Sequence, residues 1–242
     1  MKWFSTWFDS PYYHILYDER DENEASAFIK TIQQKLKTPQ NAHVLDAACG
    51  QGRHAKTLYE LGFKVDGFDL SPKNIVAANH YASENLSFFV HDIRDPLPKE
   101  GVYEWVCNFF TSFGYFDLKS DNQAAFNSLS AALKPGGVFL MDFFNPTYVI
   151  KYLVGQETVI KQGISFEINR WAEDGFLFKS IDFTDQKETF HFEEKVELIS
   201  KSDFLEYAFK SGLTWTGMLG DYQLNSFDDQ NSPRMIFLWT KN

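Results

Sequence analysis

The sequence predicts an α/β protein whose doubly wound, mostly parallel sheet is interrupted late in the chain by an antiparallel β insertion. Three observations point there. Up to residue 145, short apolar runs of strand length alternate with amphipathic stretches of helix length. A glycine loop, Cys49-Gly50-Gln51-Gly52, follows one of the first of these runs. From about residue 158 to 200 the pattern becomes period-two with no helical stretch between runs, as in strands that pair locally.

Residues 21–37 set Phe28, Ile29, Ile32 and Leu36 on one helical face behind acids at the start, and Pro39 stops the helix. His43–Ala47 reads as a strand, residues 54–61 as a helix ending at Gly62, and 63–69 as a second strand. Ser71-Pro72 is a cap followed by proline in the first turn, opening a helix to about Tyr81. Strands follow at 86–91 and 104–109, then a helix at 121–133, the turn Lys134-Pro135-Gly136-Gly137, and a strand at 138–143. Hairpin-like runs then turn at AEDG (172–175) and TDQKE (184–188). A helix at 202–211, closed by Gly212, and strands Leu213–Leu219 and Arg234–Lys241 resume the first pattern. Residues 1–145 and 200–242 thus form one expected core, and 146–199 an insertion within it.

Composition narrows the function. With 44% apolar and 23% charged residues, the 242-residue chain folds around a real core. A net charge of −10 argues against gripping a nucleic-acid backbone, which needs clustered Lys and Arg. Cys49 and Cys107 form no CxxC pair, which fits a reducing compartment, and the six histidines lack metal-ligand spacing, so no metal is expected. The first apolar stretch is broken by Ser5, Thr6 and Asp9, unlike a signal peptide, and no run nears the ~20 apolar residues of a spanning helix. A soluble, cytoplasmic protein without a membrane partner is the expectation.

The glycine loop fits two kinds of ligand. Gly50-x-Gly52-x-x-Ala55 with Asp69 downstream satisfies a dinucleotide fingerprint, as in an oxidoreductase. Asp46 stands against it, because a carboxylate at the strand's end would repel a pyrophosphate seated on helix N–H groups. It suits a ligand carrying ammonium and sulfonium charges. Glycines also serve plain tight turns, and Asp69 by itself could be a solvated strand end.

The stretch LDAACGQGRHA (45–55) resembles the cofactor loop of class I S-adenosylmethionine-dependent methyltransferases. VDGFDLS (65–71), FFVHDIRDPLP (88–98), NFFTSFGYF (108–116) and LKPGGVFLMDFFN (133–145) resemble that family's later segments in order. CGxGRH, TSFGYF, the terminal GDY…F…SPRMI and the leading YYHILYDERDENEA are similar to those of a bacterial subgroup. The resemblance implies a Rossmann-like, seven-stranded methyltransferase fold with S-adenosyl-L-methionine as cofactor. It also implies site residues: the loop positions Asp46, Ala48, Cys49, Gly50 and Gly52; Asp69 with Leu70 at the ribose; Asp92 with Ile93 at the adenine; and Asn108. Asn108-Phe109-Phe110 lacks the Asn/Asp-Pro-Pro-aromatic box of families that methylate nucleic-acid or protein amides, so a small-molecule acceptor is implied. A cofactor-binding protein without transfer activity is a further reading that fold alone leaves open.

Methyl transfer from a sulfonium needs the acceptor lone pair in line with the S–CH₃ bond, and a base only where the acceptor must shed a proton. Tyr12, Tyr13, His14, Tyr17, His191 and Tyr222 are the candidates, in segments expected to cap the pocket. Cys49 reads as a small packed residue, with no basic partner in sequence to make it a thiolate. The insertion's aromatics (Phe166, Trp171, Phe176, Phe178, Phe183, Phe190, Phe192) exceed what one face of a small sheet needs. They are expected to cover the pocket mouth or to bury a homodimer interface.

Overall fold

The structure, a computed structural model, describes residues 3–17, 22–36, 38–39 and 41–242. Two short helices lead, α1 (Trp3–Trp7) and α2 (Pro11–Leu16), followed by α3 (Glu22–Leu36). The expected outer ends of α3, Asp21 and Lys37, lie outside the described residues. The core then runs β1 (His43–Ala47), α4 (Arg53–Glu60), β2 (Lys64–Asp69), α5 (Pro72–Ala78), β3 (Leu86–Val90), β4 (Tyr103–Asn108), α6 (Lys119–Ala132) and β5 (Leu133–Phe144). After α7 (Pro146–Lys151) come β6 (Gln156–Lys161), β7 (Ile164–Glu173), β8 (Phe176–Asp185) and β9 (Glu188–Glu197). The chain closes with α8 (Lys201–Lys210), β10 (Leu213–Leu219) and β11 (Arg234–Lys241).

β1 to β5 pair in parallel, β11 pairs antiparallel with β5 and β10, and the seven strands lie in the order β10-β11-β5-β4-β1-β2-β3. Neighbouring residues of one strand point to opposite faces, so two cores form. Val44 and Val65 meet Phe28, Ile32 and Leu58 on one side, while Leu45 and Val106 meet Phe126, Leu129 and Phe204 on the other. The order reverses at β1/β4, where loops leaving the carboxyl ends diverge and leave a crevice. The Lys134–Gly137 stretch bulges out of β5 rather than preceding it: pairing with β4 jumps from Leu133 to Val138.

β6 to β9 form a separate four-stranded antiparallel sheet. Its inner face (Phe166, Ile168, Ile181, Phe183) carries a third core closed by Trp7 and Leu16. Sequence periodicity misses these two leading helices and α7, which are too short for a periodic stripe. Ser10 accepts the Tyr12 amide ahead of Pro11, and Asn145 accepts the Thr147 amide ahead of Pro146. Both repeat the cap-proline start read at Ser71-Pro72. Among the described residues no helix is long and apolar enough to cross a membrane.

Candidate active site

β1 runs out into a loop in which Ala48, Gly50 and Gly52 all adopt left-handed backbone (φ 58°, 56° and 84°). The two glycines do different things. A Cβ on Gly50 would meet nothing within 4 Å and would project into open space. A Cβ on Gly52 would lie 2.9 Å from the Phe88 ring, so Gly52 serves helix–sheet packing. Across the crevice Asp69, last residue of β2, accepts the amides of Gly50 and Ser71, each at 2.9 Å. Burial raises its pKa against the pull of those donors.

These loops floor a cavity of about 510 Å³, inside the ~300–1,000 Å³ range of small-molecule sites. Ala48, Cys49, Gly50, Asp69 and Leu70 line it on the β1/β2 side, and Asp92 and Ile93 on the β3 side. The far wall is the loop after β4, contributing Phe110, Phe113, Tyr115 and Phe116. The roof is α1 and α2, with Phe8, Asp9, Tyr13, His14 and Tyr17. Asp9 bonds the Ser71 hydroxyl, and His14 Nε2 lies 3.0 Å from Gln51 Nε2, so the roof is pinned to both floor loops. The roof is seated on the insertion in turn. Trp7 Nε1 and the Tyr17 hydroxyl both donate to Glu194 at 2.7 Å, and the Trp7 and Phe192 ring centroids are 4.4 Å apart.

Of the residues singled out from sequence, Asp46 and Asn108 lie outside the cavity lining, and Asp92 lines it with a partner of its own. Asp46 does not line the cavity. Its side chain points to the α4 face, is 1% exposed and accepts the Ala55 amide, while its Oδ2 has no hydrogen-bond partner. Burial pushes its pKa up to about 7. Asn108 is fully buried and ties β1 to the β4 loop by donating to the carbonyls of Ala47 (3.0 Å) and Ser112 (3.2 Å). Asp92 is gripped by Arg94, which donates from Nε at 2.9 Å and from Nη2 at 2.6 Å.

Of the candidate bases, Tyr13, His14 and Tyr17 reach the cavity and Tyr12, His191 and Tyr222 do not. Tyr12 donates to Asp185 at 2.9 Å, turned toward the insertion. His191 sits exposed on the sheet's outer face beside Asp182, because its β9 neighbours Phe190 and Phe192 take the inner one. Tyr222 donates to Asp142 at 3.0 Å behind the β4 loop. Cys49 is buried, and burial with Asp46 and Asp69 nearby drives its thiol pKa well above the usual range, the reverse of a reactive thiolate.

No insertion side chain lines the cavity, so the aromatics expected over its mouth act at one remove. Phe166, Phe183, Phe190 and Phe192 support α1 and α2, while Trp171 and Phe178 stack on each other. Asp9, Arg53 and His54 are among the lining residues that escaped sequence reasoning. Asp9 carries no motif; Arg53 and His54 open the helix after the glycine loop, a place from which the first side chains face the crevice.

Residues 44–137 match a family model described as a methyltransferase domain. The putative methyltransferase YqeM of Bacillus subtilis is 23% identical over 254 residues, covering 96% of this chain and 98% of that protein. The chain carries a methyltransferase domain and is an S-adenosylmethionine-dependent methyltransferase. Of two ligands left open by the glycine loop, S-adenosylmethionine is the cofactor. Two solved structures share the methyltransferase's fold. A S-adenosylmethionine-dependent methyltransferase from Clostridium acetobutylicum superposes with a TM-score of 0.79 at 21% identity, covering 96% of each chain. The SAM-bound amino pentose methyltransferase CalS10 of Micromonospora echinaspora gives 0.71 at 19% identity, covering 96% of this chain and 98% of that one. The methyltransferase's own residues fit the cofactor: the space over Gly50 is open to a close ligand, and behind the loop the buried Asp46 Oδ2 has no hydrogen-bond partner.

Proposed function

We propose that this enzyme methylates a small-molecule acceptor inside the roofed cavity, with no nucleic acid or membrane surface as partner. The observation that carries the reading is the enclosure itself. The cavity of about 510 Å³ is bounded by the β-strand loops below and by α1 and α2 above, and it must hold cofactor and acceptor together. Those bounds favour a small acceptor over a polymer strand.

In this reading Gly50 and its neighbours Ala48 and Cys49 cradle the amino-acid part of the cofactor, and Asp69 accepts the ribose hydroxyls with Leu70 beside them. Ile93 packs on the adenine, and Asp92, held in place by Arg94, faces its amine. Asp46 acts from behind the loop as a buried carboxyl group that holds the Ala55 amide, and Asn108 as a brace between β1 and the far wall. When bound, S-adenosylmethionine supplies an electrophilic methyl group on a sulfonium. The chain's contribution is to aim the acceptor and exclude water, which the aromatic wall and roof (Phe4, Phe8, Tyr13, Tyr115) are built to do. Where the acceptor must lose a proton, His14 is the best placed group. Burial lowers its pKa, and to take a proton its Nε2 exchanges the 3.0 Å contact with Gln51 Nε2 for the acceptor. The insertion, residues 146–199, serves as the scaffold on which the roof is seated.

Incubating the enzyme with S-adenosylmethionine and a metabolite mixture, and reading products by the mass shift of one methyl group, tests the proposal. A small product gaining that mass supports it. Binding of S-adenosylhomocysteine without any methylated small product would favour a non-catalytic or macromolecular role.

A further inference from the structure

The far wall of the cavity begins with two consecutive non-glycine residues in left-handed backbone, Phe110 at φ 56° and Thr111 at φ 62°. Such a pair persists only where its surroundings over-determine it. Asp142, fully buried near the end of β5, supplies most of the hold. Its Oδ2 accepts the Phe110 amide at 2.9 Å and the Tyr222 hydroxyl at 3.0 Å, and its carbonyl accepts the Thr111 amide at 2.9 Å. Its Oδ1 accepts Arg234 Nε at 2.8 Å, and Arg234 Nη2 reaches on to Thr111 Oγ1 at 3.0 Å. The same Oγ1 accepts the Phe144 amide at 3.2 Å. Three motifs without a role in the chemistry so far, TSFGYF, DFFN and GDY…SPRMI, thereby converge on one turn.

What stands on the turn is Tyr115. Its hydroxyl donates back to the Thr111 carbonyl at 2.6 Å. Its ring centroid lies 5.4 Å from that of Trp3, 6.1 Å from Phe4 and 5.5 Å from Phe8, three rings of α1 and the residue after it. Phe116, next in the loop, adds an edge contact to Phe4 at 6.5 Å. Trp7 of the same helix turns instead to Glu194 and Phe192 of the insertion. The roof therefore has two footings. One is the insertion; the other is the far wall, whose base is fixed by the C-terminal segment. Phe4, Phe8, Tyr115 and Phe116 all line the cavity, so the second junction is part of the cavity's own wall.

We propose that Tyr115 is the post against which α1 closes over the cavity, and that Thr111, Asp142 and Arg234 are positioning residues that hold the post in place. Arg234 does not line the cavity, yet through this chain of contacts it sets how often the roof opens to admit or release a ligand. The ligand half of the test rests on the cavity being the S-adenosylmethionine site; the other half needs no ligand. Two conservative variants of the full chain carry both. Tyr115→Phe keeps the ring and loses its bond to Thr111. Arg234→Lys keeps a cation beside Asp142 and loses the reach to Thr111 Oγ1.

In each variant, amide hydrogen exchange across residues 3–17 should accelerate about three- to tenfold, while β1 and β7 keep the protection they have in the parent. In Arg234→Lys, stopped-flow mixing should show S-adenosylhomocysteine associating and dissociating faster by about the same factor, with a calorimetric dissociation constant within about threefold of the parent. A roof that opens more often changes both rates together, whereas a damaged site changes the dissociation rate alone. Unchanged exchange in the roof of either variant overturns the positioning role, and so does equal acceleration of the roof and β1. Faster dissociation with unchanged association overturns the gating role. A parent enzyme that binds no S-adenosylhomocysteine would instead refute the reading of the cavity, and the exchange measurement would still decide the role of Tyr115.

Discussion

Gly50 and Gly52, two residues apart in one loop, should respond to the same substitution in opposite ways. Both stand at positive φ, where an L side chain costs about 1–2 kcal/mol. For Gly50→Ala nothing else is lost in the free protein, because the new methyl meets no atom within 4 Å. In a chain of this size that corresponds to a melting temperature lower by roughly 2–8 °C. The methyl occupies the space a ligand must use, so S-adenosylhomocysteine affinity should fall at least about tenfold, or ~1.4 kcal/mol. For Gly52→Ala the methyl lands 2.9 Å from two Phe88 ring carbons and 3.1 Å from Ala78 Cβ. The ring is already packed over Gly67, 2.8 Å from where a Cβ on that residue would be, so moving it disturbs a second close contact. Overpacking adds about 1–3 kcal/mol to the backbone cost, and the melting temperature should drop by roughly 4–20 °C. Thermal melts followed by circular dichroism, with calorimetry on whatever remains folded, separate the two effects. A Gly50→Ala enzyme that is folded and binds S-adenosylhomocysteine as the parent does would refute the placement of the ligand over this loop. A Gly52→Ala enzyme no less stable than Gly50→Ala would refute the packing argument.

Asp69→Ala should cost at least about tenfold in S-adenosylhomocysteine affinity, since each charge-assisted bond to a ribose hydroxyl is worth ~1.5–3 kcal/mol before water compensates; an unchanged dissociation constant takes Asp69 out of the site. Asp46, whose folded pKa is raised by burial to about 7 from 3.8, makes stability fall as pH climbs between those values and level off above them. The loss is on the order of 4 kcal/mol, so Asp46→Asn should gain stability over the parent between pH 5 and pH 8; parallel denaturation profiles would contradict the buried charge. Trp7→Ala removes a fully buried ring and its bond to Glu194, so hydrogen exchange in residues 3–17 should accelerate roughly tenfold or more while β1 and β4 stay protected. Equal acceleration in all three would show that the roof does not open as a unit.

Much of the frame was written in local pattern. His43–Ala47, Leu213–Leu219 and Arg234–Lys241 could be placed to the residue because strand alternation and flanking turns need no distant partner. The glycine loop could be read likewise, since backbone freedom is a property of glycine itself. The resemblance of five ordered segments added the cofactor. What sequence by itself determined was therefore an α/β sheet, the loop that opens its crevice, and the class of reaction.

Tertiary structure decided which way individual side chains face. Whether Asp46 points into the crevice or behind the loop depends on the face it takes in β1, and it shares the α4 side with Cys107 of β4. His191 faces solvent because β9 turns Phe190 and Phe192 inward, a choice fixed by pairing with β8 and by what covers that face. The roof is the clearest case. α1 and α2 span too few residues to bury a stripe on their own, and they hold only because Trp7 and Leu16 find the inner face of a sheet some 150 residues later in the chain. The same holds for the turn at Phe110 and Thr111, whose left-handed backbone is paid for by Asp142, Tyr222 and Arg234 from two distant segments. Contacts of that range leave no period and no spacing in the sequence, because they are made by folding itself.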